Sequence, residues 1–129
     1  MRLEVVKDSL RPAFPTLFFG DPLFDIKVFN MADRMLNDYS GGYWEYVVTE
    51  DAAFMRLSGK DEQTLTNPFS GEEVKMDANA SGMILTSYAL LKEIEKGKDL
   101  SSTQWALNQN LQDYLEEIDR FDIWMEMMD

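Results

Sequence analysis

The sequence predicts an α+β fold of two layers, an antiparallel sheet of three to four strands with three or more helices packed on it. Two observations predict it. Apolar residues recur at helical spacing in segments 24–39, 83–94 and 105–118, and at alternating spacing in 43–49, 52–57 and 73–76. The segments run helix, strands, helix, helix, and successive strands with no crossover helix between them pair antiparallel. No segment repeats and no linker divides the chain, so residues 1–129 read as one domain.

Residues 1–20 read as an extended arm packed on that domain. Leu3, Val5 and Val6 suit a short strand, and Pro12 and Pro15 are expected to keep the following residues out of helix. Phe14, Leu17, Phe18 and Phe19 are too apolar to stay in water. Asp21-Pro22 then opens the first helix as N-cap and first helical residue. Phe24, Val28, Met31, Met35 and Tyr39 form its apolar stripe. Gly41-Gly42 is expected to close it, one glycine taking the left-handed conformation.

The period now drops to two. Trp44, Tyr46 and Val48 face one side of a strand, and Tyr43, Glu45 and Val47 the other. Its aromatic content makes it central and partly buried. Glu50-Asp51 turns the chain into its hairpin partner, Ala52–Leu57. Residues 58–71 read as a polar loop, with Thr64-Leu65-Thr66 able to add a short strand. Glu73–Met76 supplies a third strand of the sheet. Asp77 or Asn79 caps the second helix. Met83, Ile84, Ser87, Leu91 and Ile94 form its core face, while Lys92, Glu93, Glu95 and Lys96 face solvent. Gly97 ends it. A third helix starts at Leu100–Thr103 and carries Trp105, Leu107, Leu111, Tyr114, Leu115 and Ile118. Phe121–Asp129 suits one or two further helical turns on the core.

Composition removes whole classes of chemistry. There is no cysteine and no histidine, which excludes disulfides, thiolates, Ser-His-Asp triads and histidine metal sites. There is no EF-hand loop and no glycine-rich phosphate loop, so no cofactor or metal is expected. The net charge of −12 repels nucleic acid and anionic membranes and favours basic partners. No apolar run is long enough to span a bilayer. Met1–Asp8 lacks the apolar region and small-residue cleavage site of a signal peptide, so a cytoplasmic protein is expected.

Several segments, in order, resemble the antirestriction proteins of the ArdB/KlcA type. They are Phe14-Pro15, Phe19-Gly20, Asn37-Asp38-Tyr39-Ser40-Gly41-Gly42-Tyr43-Trp44-Glu45-Tyr46, Ala53-Phe54-Met55, and Met76-Asp77-Ala78-Asn79-Ala80-Ser81-Gly82-Met83-Ile84 running into Tyr88-Ala89-Leu90. The likeness spans residues 12–96. It departs at Asn79, where the family often has Asp, and at Asp51 and Ala52, where it has glycines. The loop from Ser58 to Phe69 has no close counterpart. The resemblance implies a non-enzymatic protein of a plasmid, phage or integrated island that relieves host type I restriction of incoming DNA. It also implies that Gly41, Gly42, Tyr43, Trp44 and Gly82 are structural.

The implied partner is a protein of the host DNA-defence machinery, either a type I restriction enzyme or a factor controlling it. Another DNA-targeting complex, such as CRISPR, is the alternative. DNA-handling complexes have basic channels onto which an acidic face can dock. The densest acidic zone is Asp113, Glu116, Glu117, Asp119, Asp122, Glu126 and Asp129, interrupted by Arg120. The docking candidates are therefore Glu116, Glu117, Asp119 and Asp122, together with Glu50 and Asp51 of the hairpin turn. The competing reading is a solvated surface. Direct DNA mimicry would need a long run of carboxylates, and acidic and basic residues are mixed over 56–98. Glu45 with Glu50 is the candidate carboxylate pair of an enzyme, although Glu45 stands alone on its strand face. Direct nucleic-acid and membrane binding are not expected. A monomer or weak homodimer is, with Trp124, Met125, Met127 and Met128 either packed on the core or forming a self-pairing edge.

Overall fold

Helix α3 (Ala78–Glu95) lies at the centre, with every residue from Ala80 to Leu90 buried. Asp77 caps it, its side chain accepting from Ala80 N at 2.7 Å. Ser87 is buried as expected, but the division into core face and solvent face fails at Glu93, which is buried, and at Ile94, which is exposed, and Ser81 and Thr86 are as buried as their apolar neighbours. A helix buried all round needs small or hydrogen-bonded polar residues wherever another backbone comes close. The computed structural model describes residues 2–97 and 99–128, with backbone only at 95 and 126–128.

Strand β1 (Glu4–Val5), β2 (Trp44–Val48) and β3 (Ala53–Leu57) form an antiparallel sheet in that order, with β2 in the middle. On one face Tyr46 stacks on Phe14, ring centroids 4.4 Å apart, and Trp44 meets Phe29 and Tyr39. Val47 and Phe54, paired across the strands, bury the other face.

The sheet ends at β3 because α3 occupies that edge. Met55 N donates to Thr86 Oγ1 at 3.0 Å. A Cβ built on Gly82 would lie 2.3 Å from Met55 O. No further strand fits there. Strands β4 (Glu62–Thr66) and β5 (Glu73–Asp77) consequently pair only with each other. Gln63 Nε2 fastens this second sheet by donating to Leu57 O and Lys60 O, both at 3.1 Å. The fold is thus α+β, but the single sheet of three to four strands is corrected to two small antiparallel sheets. Five α-helices accompany them among the described residues.

The N-terminal segment is helical where an extended arm is expected. A 3-10 helix covers Asp8–Ala13, and α1 covers Phe14–Phe19. Pro12 and Pro15 do not prevent this. Pro15 stands in the first turn of α1, where its missing N–H forfeits no helical bond. Phe14, Pro15 and Phe19 are buried, while Leu17 projects outward.

Helix α2 (Phe24–Met35) also ends elsewhere than expected. Leu36 turns extended and bridges to Leu65, and Asn37 N donates to Thr64 O at 3.0 Å. Leaving the helix after Met35 gives these groups partners in the second sheet. Gly41 and Gly42, at φ +95° and +142°, then aim the chain into β2 instead of closing the helix.

Two further expectations are corrected. Glu93 is buried, not on a solvent face, and lies 3.0 Å from Lys27 Nζ. Burial opposes the charge on Lys27, but hydrogen bonds to Asp21 and Glu93 outweigh it and raise its pKa. Trp105 is half exposed, although its spacing put it in the apolar stripe of α4 (Ser102–Glu117).

Helix α4 begins with a capping box between Ser101 and Gln104, and Gln104 Nε2 also donates to Phe19 O at 2.8 Å. Helix α5 (Phe121–Met128) is held by its one buried tryptophan. Trp124 Nε1 donates to Ser87 Oγ at 3.0 Å, and Ser87 Oγ donates to Asn108 Oδ1 at 2.5 Å. Tyr88 donates its hydroxyl proton to the Trp124 carbonyl.

Candidate docking face

The turn between β2 and β3 is built by Thr49. Its Oγ1 accepts from Ala52 N at 2.9 Å and Asp51 N at 3.3 Å, leaving Glu50 and Asp51 exposed at the tip. Helix α4 grips that tip. Asn110 Nδ2 donates to Asp51 O at 2.6 Å. The Tyr114 hydroxyl donates to Asp51 Oδ1 and lies 3.4 Å from Glu50 Oε2. Arg2 N approaches the same Glu50 oxygen at 3.5 Å.

The electrostatics follow from this contact. The Tyr114 phenol is pushed up to about 12, first by burial, then by its hydrogen bond to Asp51 and the charges of Asp51 and Glu50. The Glu50 carboxyl is held below its ordinary range by its own backbone N–H and that of Arg2.

Asn110, Asp113, Tyr114 and Glu117 recur at the spacing of one helix face. The turn carboxylates therefore join the side of α4 that carries Asp113 and Glu117. The structure thus brings two of the sequence-derived zones together at Tyr114. Glu116, Asp119 and Asp122 are exposed around the α4–α5 turn, where Asp119 has φ +61°. They make no hydrogen bond or ion pair with the hairpin among the described residues. Asp129 and the side chains of Glu126, Met127 and Met128 lie outside the described residues. Trp124 is packed inward, whereas Met125 is exposed.

The proposed carboxylate pair does not assemble. Glu45 forms a 3.1 Å ion pair with Arg56, whose Nη1 donates to Asn79 Oδ1 at 2.6 Å. Glu50 lies beyond the other end of β2. Among the described residues no cluster of acidic side chains is placed to hold a metal ion, and no helix is long and apolar enough to cross a membrane.

The glycine motif serves a different place. Arg11 lies between the rings of Tyr43 and Tyr46, 4.6 and 4.5 Å from their centroids, and Nη1 donates to Trp44 O at 2.7 Å. Gly41 and Gly42 border a cleft of about 370 Å³ shared with the β3–β4 loop. Sequence reasoning missed Asn110 and Tyr114, which fix the acidic turn. Their spacing of four, beside the apolar stripe of α4, is the signal that could have found them.

No protein-family model matches the chain. A curated relative from Escherichia coli (strain K12), "Putative antirestriction protein YubI", is 28% identical over 81 residues, which is 62% of this chain and 57% of the relative. The fold superposes with a TM-score of 0.73 on a solved structure of the KlcA and ArdB proteins, over 93% of this chain and 92% of that one, at 21% identity. Those proteins have a novel fold and antirestriction activity against type I DNA restriction systems in vivo but not in vitro. The ArdB/KlcA likeness read from the motifs is therefore met by both sequence and fold.

Proposed function

We propose that this KlcA/ArdB-fold protein relieves type I restriction of incoming DNA inside a bacterial cell, on behalf of a mobile element. In this reading it acts without catalysis, by docking its acidic face on a protein of the defence machinery. The observation that carries the reading is the shared fold, with its TM-score of 0.73 over 93% of the chain. The acidic turn clamped to α4 supports a docking mechanism, because a fixed pair of carboxylates offers a basic partner a defined target at little ordering cost. Activity of the fold neighbours in vivo but not in vitro fits a target, or a controlling factor, found only in the cell.

The test is a plating assay. Unmodified phage is titred on restricting cells with and without this protein expressed. The expected outcome is a higher plating efficiency with it. Unchanged restriction by every type I system tried would refute the proposal.

A further inference from the structure

We propose that a trough running from the open edge of β1 to the acidic turn docks an extended segment of a protein partner, with alternating apolar side chains and a Lys or Arg beyond them. This rests on the docking reading above and names the chemistry that the face recognises.

The trough is continuous. A cavity of about 450 Å³ lies between α1, the Glu50-Asp51 turn and the start of α4, and one of about 360 Å³ lies between α1 and β1. Leu17 and Phe18 line both. The trough is also apolar and open. Leu17 is 68% exposed and Leu10 55%, above a floor that includes the buried Phe14, while Val5 borders the trough with its backbone. Two large aliphatic side chains left in water around one depression mark a contact surface.

The edge of β1 sets the shape of the occupant. Val6 N donates to Tyr46 O at 2.8 Å, and Val5 stands opposite Val47. Antiparallel alternation therefore turns the N–H and C=O of Val5 away from β2. No backbone partner meets them among the described residues. A strand laid along that edge would find both, with every second side chain directed at the trough. Glu50 and Asp51 at the far end fix the charge of the occupant as positive. A second copy of this chain fits less well, because each copy carries −12.

The experiment is a selection from a random peptide library displayed on phage, using the immobilised full chain. Enrichment of extended apolar sequences bearing Lys or Arg is expected. A selected peptide should lose about tenfold or more in affinity to Leu17→Asp. It should weaken similarly to Val5→Pro, which removes the outward N–H but no bond to β2. Both sites are exposed, and an unchanged melting temperature verifies each variant's fold. The inference is overturned by no enrichment, by acidic or pattern-free peptides, or by equal binding to Leu17→Asp. A dimer in sedimentation that Leu17→Asp dissolves would replace the partner with a second copy. A chain that selects such peptides but never relieves restriction sinks the proposed function and keeps the trough. Restriction relief that survives in Leu17→Asp, with no peptide selected, does the reverse.

Discussion

Replacing Gly82 by alanine sets two opposite effects against each other. In an isolated helix the change is favourable by about 1 kcal/mol, since glycine is the poorer helix former. Here the new methyl would stand 2.3 Å from the Met55 carbonyl oxygen, with Arg56 Cα at 3.2 Å behind it. Even a close C···O contact needs about 3.3 Å, so helix and strand must part by roughly 1 Å. Both obstructing atoms are backbone and neither can rotate away. The same separation stretches the 3.0 Å bond from Met55 N to Thr86 Oγ1 beyond hydrogen-bonding range. Overpacking costs about 1–3 kcal/mol, and a buried donor left unpaired costs about 1–3 more. Net of the helix gain, Gly82→Ala should destabilise by about 1–5 kcal/mol. For a chain of this length each kcal/mol lowers Tm by about 3–5 °C. Thermal unfolding followed by far-UV circular dichroism should therefore show a fall of several degrees or more. An unchanged or higher Tm would refute the close approach of α3 to the β3 edge.

Other perturbations have equally definite outcomes. Trp44→Ala should cost about 3–5 kcal/mol through lost burial and a cavity, and a stable, inactive variant would make Trp44 a contact residue instead. Gly41→Ala should cost about 1 kcal/mol or more for its positive φ alone, with no collision, so equal Tm values would contradict the loop conformation. Because folding raises the Tyr114 pKa from 10.0 to about 12, its stabilising effect is complete below pH 10 and is lost as pH rises toward 12. Burial also raises the Tyr46 phenol, so absorbance titration should show one late phenol fewer in Tyr114→Phe than in the unaltered chain, and an unchanged number would contradict the Tyr114 contact. Reversing Glu116, Glu117 and Asp119 together to Lys should leave Tm nearly unchanged, since exposed charges contribute little. If the α4–α5 turn belongs to the docking face, restriction relief should fall. Full protection would confine docking to Glu50, Asp51 and the trough.

Local chemistry was legible in part, although Asp21-Pro22 does not open α2, which starts at Phe24 with Leu23 before it. Trp44 to Val48 alternates as a strand should, Asp77, one of the two expected caps, caps its helix, and the helix expected to start within Leu100–Thr103 starts at Ser102. Other errors came where distant contacts prevailed. Leu36 leaves its helix to meet Leu65, and Glu93 is drawn inward by Lys27. The division into two sheets depends on Gly82 reaching Met55, which no spacing in the sequence encodes. The acidic turn and the acidic helix were each visible alone. Only folding places Tyr114 between them. The trough was invisible for a related reason. Leu17 belongs to an apolar run that reads as core, and only the helical turn of α1 separates it from the buried Phe14 and Phe19.

The burial of α3 on every side constrains how this protein can be made. The helix emerges from the ribosome after the strands and α2 that cover part of it, but before α4 and α5 that cover the remainder. For that interval its apolar surface is open to water, to other nascent chains and to chaperones. A chain cut before Leu100 would lose α4 and α5 and carry the uncovered surface permanently. Such fragments should aggregate, and loss of protection in a truncated variant would then report the missing cover before it reported a missing contact.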